Sequence, residues 1–536
     1  MMKRILSILL VLAMFLSLFV GCGKKDKDVS KGVDSLVVGI PQKTTIPDYD
    51  TNKFTVFMEE RTGINIKFFY FASSPDHYKQ QLTLMGSSGE KLPDVMFLTL
   101  DHYYANQLGE DGLFMDISQL LDEHGTNFNK ALGSCSKSYQ KYIKTKLKNT
   151  NSDAIYGLPQ IREDWFMDDM QSQVYINKVW LDELNLKVPG TIAELETVCN
   201  AFLTKDPNKN GKQDEIAMLG SGNLINWLIN AYVEYEDANW NVKDGKVWDP
   251  RVTPEFRQAL QKINDFKESG LFNILGLTTS DKEKRNLISP ITGEEGKVGI
   301  FGMHHEIATN ESTDTLADYV ALGPLADETG KGGYTILNSP PFEMCAYIGA
   351  DCKDPVTAMK FIDAFIDDDV VSFSRFGVEG VDWVREKGTN AYGDEAYVKQ
   401  ITTNIFFDGS TNTVWGITFP YLVTTRNHMP IVTEDTSQYA QEVNRLHSEQ
   451  YHFIETAKKR ESLDALIYTQ EEYDIREEKS GLLNSYLNSQ IQLFVAGEVD
   501  ISDDKAWDDF KKTLTKLGNE PLMKVAQDAY NRQLKK

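Results

Sequence analysis

The first part of the chain alternates short apolar runs with segments of helical spacing. Residues 36–40 form a continuous apolar run typical of a buried strand, and apolar residues recur at helical spacing over residues 52–62. Residues 64–70 are strand-like, residues 76–85 are helical, and residues 94–98 form a third apolar run. This β-α-β-α-β order predicts a mainly parallel sheet with helices on its faces. In such sheets, ligands bind beyond the carboxyl ends of the strands.

The rest of the chain carries a second α/β pattern between two extended segments. Residues 153–160 and residues 339–341 are both typical of a strand that crosses from one lobe to another. Between them lie a helix that begins after Thr191 and an apolar, strand-like run over residues 298–301. From Ser437 onward the spacing is largely helical. The pattern predicts an α/β protein of two lobes with a helical C-terminal region.

The N-terminus has the pattern of a bacterial lipoprotein signal. Lys3 and Arg4 precede an apolar run over residues 5–20, which is shorter than a typical membrane span. Residues 19–22, Phe-Val-Gly-Cys, resemble a lipobox, in which Cys22 becomes the lipidated first residue of the mature protein. Acyl chains on Cys22 would anchor the protein stably to a membrane. The alternative is ordinary secretion with a cysteine at this position by chance.

These signals divide the chain into four parts. Residues 1–21 are the signal peptide, and residues 22–32 are the lipidated cysteine and a flexible tether. The first lobe is predicted to contain residues 33–155 together with about 340–405. The second lobe is predicted to contain residues 156–339 together with about 406–536, including the C-terminal helices.

Composition narrows the class of protein. The 536 residues carry a net charge of −23, which argues against a nucleic-acid partner because phosphates require a basic surface. An apolar content of 41% and an aromatic content of 11% are typical of a globular protein. Apart from Cys22, the cysteines have neither metal nor redox spacing. We expect buried free thiols, with a Cys345–Cys352 disulfide as the alternative, at Cys135, Cys199, Cys345 and Cys352.

The sharpest chemical signal is the loop 206–215, with the sequence Asp-Pro-Asn-Lys-Asn-Gly-Lys-Gln-Asp-Glu. Its alternating acids and amides, with glycine at the sharp turn, suit calcium, a hard cation that collects oxygen ligands. Ala217 stands at the twelfth position, where an EF-hand has a bidentate glutamate, so Glu215 is the predicted substitute. A structural calcium ion is therefore predicted, with a plain Asn/Gly/Asp turn as the alternative. Its predicted ligands are Asp206, Asn208, Asn210, the Lys212 carbonyl, Asp214 and Glu215.

Catalytic motifs are missing from the sequence. The pair Asp168-Asp169 could serve in acid/base catalysis, but such pairs arise freely among 79 acidic residues. His305-Glu306 begins like a zinc-protease motif, but Thr309 stands where the second histidine is required. The sequence also has neither a Gly-x-Ser-x-Gly elbow nor a phosphate-binding loop. We therefore expect a binding protein rather than an enzyme; a structural envelope lipoprotein would not need two lobes.

Seven segments carry motifs that lie in order over almost the whole chain: residues 19–22, 92–95, 156–159, 180–186, 206–215, 376–383 and 507–532. Together they resemble one family, the lipid-anchored extracellular solute-binding proteins of ABC importers in Gram-positive bacteria. The resemblance is strongest to the branch that contains lipoprotein LipO and the alginate-oligosaccharide binders. It implies a type II periplasmic-binding-protein-like fold, in which two α/β lobes close on a ligand, and it implies that the calcium loop is structural.

A sugar-binding cleft needs aromatic platforms and hydrogen-bonding side chains. Trp383 and Trp415 stand in polar or glycine-rich contexts and are the first candidates for stacking against sugar rings. His304 and Arg162 could donate hydrogen bonds to hydroxyl or carboxylate groups. For each of these residues the alternative is a structural role. Further candidates for the platform are Trp227, Trp165 and Trp240.

We therefore predict a monomeric receptor anchored by lipid at the extracellular face of the cytoplasmic membrane. It would capture a solute and deliver it to the permease subunits of an ABC importer. An oligosaccharide is the solute that the sequence favours. Hinge closure between the two lobes would hold the ligand. The alternatives are a binding protein for a peptide or another solute, and a secreted carbohydrate-active enzyme.

Overall fold

The computed structural model describes most of the chain from Asp34 to Leu534. Its described residues form sixteen α-helices and sixteen strands, and most of the strands lie in two five-stranded sheets. We call the part built around the first sheet the first lobe and the part built around the second sheet the second lobe. The described ranges are 34–149, 152–163, 174–235, 240–290, 296–303, 315–334, 342–389, 395–402, 409–423, 445–446, 449, 452–453, 463 and 466–534.

The first sheet has the strand order β2-β1-β3-β13-β4. Strand β1 pairs in parallel with β2 and with β3, whereas β13 is antiparallel to β3 and to β4. Four of its strands therefore share one direction, as the β-α-β-α-β pattern predicts. The strands are β1 (Ser35–Pro41), β2 (Asn65–Phe71), β3 (Val95–Met96), β4 (Leu158–Pro159) and β13 (Met344–Ile348).

Helices of the first lobe cover this sheet and bury a single large apolar cluster with it. Two of them begin as the sequence predicts: Asn52 accepts a hydrogen bond from the N–H of Phe54, and Asp354 accepts one from Thr357, next to a first-turn proline. The helices are α1 (Lys53–Thr62), α2 (Pro75–Ser88), α3 (His102–Glu110), α4 (Ser118–His124), α5 (Thr126–Ser134), α6 (Lys137–Leu147), α12 (Pro355–Ala364) and α13 (Asp368–Phe376).

The second sheet repeats the same plan, with the strand order β10-β7-β11-β6-β12. Strands β10, β7 and β11 are parallel, and β6 runs antiparallel between β11 and β12. Each lobe therefore has a mainly parallel sheet with one reversed strand in the fourth place. The strands are β6 (Val174–Asn177), β7 (Ile216–Leu219), β10 (Phe272–Asn273), β11 (Val298–Gly302) and β12 (Tyr319–Ala321).

The C-terminal helices pack on the second lobe, because their apolar side chains join its core. The helix α14 (Gln470–Ala496) begins with a capping box formed by Thr469 and Glu472. The helices of this lobe are α7 (Lys178–Glu183), α8 (Ile192–Thr204), α9 (Gly222–Ile229), α10 (Pro254–Glu268), α11 (Asp281–Ile288), α14, α15 (Asp504–Lys516) and α16 (Asn519–Leu534).

The remaining strands form three two-stranded sheets. Two are antiparallel hairpins, β8 (Asn241–Lys243) with β9 (Lys246–Trp248) and β14 (Trp383–Thr389) with β15 (Glu395–Gln400). The third pairs β5 (Ile161–Arg162) in parallel with β16 (Leu422–Val423). Because β5 follows a first-lobe strand and precedes a second-lobe strand, this parallel pair lies where the chain crosses between the lobes.

The predicted lobe boundary near residue 406 is wrong for the segment 409–421. This segment returns to the first lobe: the N–H groups of Lys53 and Phe54 donate to the carbonyls of Asn412 and Thr413. Trp415 and Phe419 also lie in the core of the first lobe. The second lobe therefore regains the chain only after β16.

The four described cysteines are free thiols, and all but the partly exposed Cys352 are buried. The alternative of a Cys345–Cys352 disulfide is therefore wrong. Among the helices of the described ranges, none combines the length and the apolar character needed to cross a membrane.

Candidate functional site

An exposed aromatic ring stands at the carboxyl edge of the first sheet. Tyr70 lies one residue before the end of β2 and is 39% exposed. Its ring centroid lies 5.5 Å from that of Tyr49 and 5.9 Å from that of Phe68. The Tyr49 hydroxyl accepts a hydrogen bond from the N–H of Lys43 at 3.0 Å, which ties the loop after β1 to this group. Tyr70 therefore offers a supported, solvent-facing ring at the edge where sheets of this kind bind ligands.

Carboxylates lie beside this ring. Burial, followed by the charges of Asp50 and Asp48, raises the pKa of Tyr70. The Thr51 hydroxyl and the Asp50 N–H donate to Asp48 and lower the pKa of that carboxyl, so Asp48 is ionised at neutral pH. A ring face next to exposed carboxylate acceptors is a combination that suits a polyhydroxylated ligand. The signal in the sequence was the aromatic run of residues 68–71 at the end of a strand, which we read only as strand.

The carboxyl edge of the second sheet is held by Ser221. Its hydroxyl donates to the carbonyl of Gly302 at 2.5 Å and accepts from the N–H of Leu224, so one side chain joins the end of β11 to the start of α9. A Cβ atom at Gly302 would lie 2.9 Å from the Leu224 nitrogen, which explains the glycine at this close approach. These contacts hold the carboxyl end of β11 against the start of α9.

Arg162 lies on the crossing strand β5. Its N–H donates to the hydroxyl of Tyr139 in α6 at 2.6 Å, and the preceding residue, Ile161, donates its N–H to the carbonyl of Tyr421. Arg162 therefore stands at the junction between the lobes.

Two contacts join helices of the first lobe to the C-terminal helices. Tyr103 in α3 stacks on Tyr473 in α14, with ring centroids 3.7 Å apart. The ammonium group of Lys146 in α6 donates to Gln533 in α16 at 2.9 Å. These contacts bridge the two lobes outside the crossing strands, so any change in the lobe angle must rearrange them.

His102 begins α3, directly after the loop that follows β3. Burial, followed by the charge of Lys146, lowers its pKa to about 4. In the unfolded chain this imidazole would take up a proton near its usual pKa of about 6.5. The folded state therefore keeps His102 neutral over a range in which the unfolded state becomes charged.

We expect this difference to weaken the fold in mild acid. Because the folded pKa is lowered, the stabilising contribution is complete above about pH 6.5 and is lost as the pH falls toward 4, by up to about 3 kcal/mol. Denaturant unfolding of the wild type and of His102→Asn at pH 7 and pH 4.5 measures this loss of unfolding free energy. The two proteins should lose stability unequally, with the smaller loss in the variant; equal losses would contradict the assignment to His102.

The two tryptophans predicted as leading sugar platforms are buried. Trp415 is 1% exposed, and its indole N–H donates to the Thr55 hydroxyl at 2.8 Å inside the first lobe. Trp383 is 2% exposed at the start of β14, and its indole N–H donates to the carbonyl of Gly377 at 3.0 Å. In this structure neither presents a ring face to a ligand. Their polar neighbours in sequence misled the prediction, because the apolar partners of Trp415 come from distant parts of the chain.

The other tryptophans predicted as sugar platforms either pack within the protein through indole hydrogen bonds or lie outside the described ranges. Trp227 is 2% exposed and donates its indole N–H to the carbonyl of Gly323. Trp240 is half-buried, donates to Asn519, and packs beneath the guanidinium of Arg251, 5.5 Å from the ring centroid. The structure therefore does not bring the predicted site residues together. Outside the described residues lie Trp165, His304 and Cys22.

The predicted calcium loop has a turn geometry that aims side-chain oxygens inward. The Asp206 carboxylate accepts from the N–H groups of Asn210 and Gly211 at 3.1 and 3.0 Å. The amide oxygen of Asn210 accepts from the N–H of Lys212 at 2.8 Å. Gly211 has a φ of 74°, a left-handed conformation that glycine adopts without strain. The loop is therefore preformed by its own amides and acids, as the calcium prediction requires.

Glu215 supplies an orphaned pair of acceptors at this loop. It is 9% exposed, and neither carboxylate oxygen accepts a well-aligned hydrogen bond, although the backbone N–H groups of Asp214 and Glu215 lie close enough to act against the rise in its pKa. Burial, followed by the charges of Asp206 and Asp214, raises the pKa of Glu215. A buried carboxylate without a partner is costly, and a cation would relieve both the desolvation and the repulsion. The donor set therefore fits a hard cation.

Two further features concern a metal at this loop. The Lys297 ammonium lies 2.8 Å from one oxygen of Asp214, so a metal would share that carboxylate with Lys297. Throughout the described ranges, no three histidine, cysteine, aspartate or glutamate side chains converge as a metal-holding group. Calcium also accepts amide and backbone carbonyl oxygens, and the predicted ligands include two asparagine amides and one backbone carbonyl.

The sequence identifies the class of protein. The profile of the bacterial extracellular solute-binding protein family matches residues 42–371, more than half of the chain. The chain belongs to the bacterial extracellular solute-binding protein family. This membership confirms the predicted class, a binding protein rather than an enzyme.

Three relatives show how the resemblance is distributed. The polygalacturonan/rhamnogalacturonan-binding protein YtcQ of Bacillus subtilis is 26% identical over 344 residues, 62% of this chain and 64% of its own length. The fructooligosaccharide ABC transporter substrate-binding protein FusA of Streptococcus pneumoniae is 24% identical, over 88% of this chain and 86% of its own. Lipoprotein LipO of Bacillus subtilis is 21% identical over 95% of both chains. The predicted resemblance to LipO is thereby confirmed.

Solved structures confirm the fold. FusA of Streptococcus pneumoniae in complex with kestose has a TM-score of 0.73 at 20% identity and covers 94% of this chain and 100% of its own. An EF-hand mutant of FusA in complex with fructo-nystose has a TM-score of 0.71, also at 20% identity, with the same coverage of both chains. The type II architecture that the sequence predicts is therefore present.

Proposed function

We propose that this protein is the substrate-binding component of an ABC importer and that it captures an oligosaccharide between its two lobes. The observation that carries the proposal is the supported, solvent-facing ring of Tyr70 beside the ionised carboxylate of Asp48 at the carboxyl edge of the first sheet. The sugar-binding functions printed for YtcQ and FusA support the same class of ligand. A peptide or another solute is the alternative that a binding screen must test.

The mechanism follows from the two-lobed plan. A sugar presents an apolar C–H face and hydroxyl edges, so it would stack on Tyr70 and donate hydroxyl hydrogens to Asp48 or Asp50. Crossing strands β5 and β16 would act as part of the hinge, with Arg162 at the junction. Contact of one ligand with both lobes would favour the closed state. Because the ligand must be released to a permease, reversible closure suffices and no bond in the sugar changes.

Calcium would serve a structural role in the second lobe. Asp206, Asn208, Asn210, Asp214 and Glu215, with the carbonyl of Lys212, would hold it next to β7. The ion would neutralise the buried Glu215 carboxylate and fix the turn between α8 and β7. The EF-hand named in the FusA mutant structure supports a site of this kind in a protein of the same fold.

Anchoring would come from lipid on Cys22. The membrane would then be contacted by the acyl chains only, with the two lobes outside the cell and the permease subunits as protein partners. We further propose a monomer that works in a Gram-positive bacterium; relatives from Bacillus subtilis and Streptococcus pneumoniae support that setting.

A thermal-shift screen with neutral and acidic oligosaccharides tests the proposed class of ligand. A ligand present at 100 times its Kd stabilises the folded state by about 2.7 kcal/mol, so a true ligand should raise the Tm in proportion to the logarithm of its concentration. Peptides of similar size serve as the comparison. A rise in Tm with peptides and none with any oligosaccharide would overturn the proposal.

The role of Tyr70 can be tested separately. With the oligosaccharide found in that screen, Tyr70→Ala should weaken binding by roughly 1–3 kcal/mol, because an apolar ring face is lost. The variant Tyr70→Phe keeps the ring and should bind within a few-fold of the wild type. Titration calorimetry on both variants measures the effect. Unchanged affinity in Tyr70→Ala would remove Tyr70 from the site.

A further inference from the structure

A basic groove runs along helix α6 of the first lobe. It has a volume of about 790 Å³ and lies between α6, the residues Asn149, Ser152 and Asp153, and Ile467. Four lysines line it, in a chain whose net charge is −23. They are Lys137, Lys141, Lys144 and Lys148.

The lysines form one row because of their spacing. They follow one another at intervals of four, three and four residues, which places them on one face of the helix over about 16 Å. All four are exposed. Tyr139, Ile143 and Leu147 are buried on the opposite face, so packing fixes which side of α6 the lysines occupy.

Ion pairs among the described residues leave three of the four lysine charges without a partner. Lys148 lies 2.8 Å from Asp153, whereas Lys137, Lys141 and Lys144 form no ion pair with any described residue. The helix itself does not explain this row. Cations near the end of a helix are favoured by its dipole, but Lys137 occupies the first helical position, where a positive charge is unfavourable. Like charges four residues apart also repel each other.

The groove offers more than charge. Gln140, Thr145, Asn149 and Ser152 line it together with the lysines, which adds neutral hydrogen-bonding groups to a concave surface. One acidic side chain, Asp153, is also present and is the partner of Lys148. A flat anionic membrane surface would not need concavity or amides, whereas an oligosaccharide with carboxylates at intervals would use both.

We propose that this groove binds an acidic oligosaccharide, with the carboxylates of uronic-acid units paired to Lys137, Lys141 and Lys144. The groove lies on α6 and not at the carboxyl edge that carries Tyr70, so the proposal does not depend on the cleft or its ligand. It would hold an anionic sugar chain along α6, next to Ile467. The ammonium group of lysine is a compact, hydrated charge. Binding should therefore weaken as salt is added, and different acidic oligosaccharides should bind with similar affinity.

The test uses a triple variant and a control of matched charge. The groove variant is Lys137→Gln, Lys141→Gln and Lys144→Gln in the full chain. The control replaces three lysines that are exposed elsewhere and have no partner in the described ranges, with the changes Lys67→Gln, Lys91→Gln and Lys246→Gln. Both change the net charge by the same amount. Fluorescence anisotropy measures the affinity for labelled tetragalacturonate at 50 and 300 mM NaCl, with labelled maltotetraose as the neutral probe.

The proposal predicts that the wild type binds tetragalacturonate at 50 mM NaCl and loses at least tenfold in affinity at 300 mM. The groove variant should bind at least tenfold more weakly at 50 mM NaCl, while the control stays within twofold of the wild type. Melting curves confirm that each variant is folded. Three results would overturn the proposal: no binding by the wild type, wild-type affinity in the groove variant, or equal loss in the groove and control variants.

Vesicles of phosphatidylglycerol give the last arm of the experiment. If the groove variant loses affinity for these vesicles while wild-type protein ignores tetragalacturonate, the groove docks on a membrane and the proposal of a sugar site is wrong. If tetragalacturonate binds and the vesicles do not, the acidic sugar is the ligand class.

Discussion

Removal of calcium with EGTA is expected to lower the melting temperature of the second lobe by roughly 5–10 °C. A ligand at about 100 times its Kd contributes about 2.7 kcal/mol, and each kcal/mol shifts the Tm by roughly 2–4 °C in a domain of this size. The physical cause is Glu215, whose two buried oxygens accept no well-aligned hydrogen bond from the chain itself. Calcium should restore the Tm more fully than magnesium, because six ligands from one loop suit the flexible coordination of calcium, whereas magnesium demands near-ideal octahedral geometry and retains several of its waters.

A pair of aspartate variants sharpens this prediction. Asp206→Ala should abolish the difference between EGTA and calcium. Asp244→Ala is a matched control, because Asp244 is exposed in the turn between β8 and β9 and has a left-handed φ of 51°, close to the 46° of Asp206. Both substitutions therefore carry the same backbone strain, and only the first removes a calcium ligand. Identical melting curves of the wild type with calcium and with EGTA would leave the loop as a plain turn.

Trp415→Ala is expected to destabilise the first lobe by roughly 3–5 kcal/mol, the usual loss for a buried tryptophan truncated to alanine. The indole packs among aromatic rings of separate elements: its centroid lies 5.2 Å from Phe54, 5.4 Å from Phe68 and 5.7 Å from Phe365. Its N–H also donates to the Thr55 hydroxyl. Truncation would leave a cavity where α1, β2 and α12 meet the returning segment 409–421.

Urea unfolding followed by circular dichroism measures this loss. Trp415→Phe keeps a ring in the cluster and should lose clearly less stability than the alanine variant. Under conditions in which Trp415→Ala is still folded, it should bind the oligosaccharide with nearly wild-type affinity. If Trp415→Ala keeps its stability but loses oligosaccharide binding, Trp415 belongs to the ligand site and its assignment to the core is wrong.

The fold could be read from the sequence where local patterns determine it. The order of strands and helices in the first lobe follows the alternation of apolar runs and helical spacing. Capping residues such as Asn52 and Asp354 mark the starts of helices, because each bonds to a residue only two or three positions further along the chain. The boundary near residue 406 could not be read in this way. Segment 409–421 is held by partners about 360 residues earlier, such as Thr55 for Trp415, and local spacing carries no information about them.

The site was less predictable for the same reason. A tryptophan in a polar or glycine-rich stretch was taken as exposed, but Trp383 hydrogen-bonds back to Gly377 and Trp415 reaches into a distant core. Tyr70 was overlooked because exposure at the end of a strand depends on the neighbouring loop. The turn of the loop 206–215 was easier to predict, because its side chains lie within ten consecutive residues and their own hydrogen bonds form the turn.

The most direct measurement of the central claim is titration calorimetry with the best oligosaccharide from the thermal-shift screen, combined with small-angle scattering and chromatography of the recovered sugar. The account predicts one site per chain, a smaller radius of gyration in the bound state, and an oligosaccharide that is recovered intact. Cleavage of the sugar, or saturation without compaction of the protein, would contradict a binding protein that captures its ligand by closing two lobes.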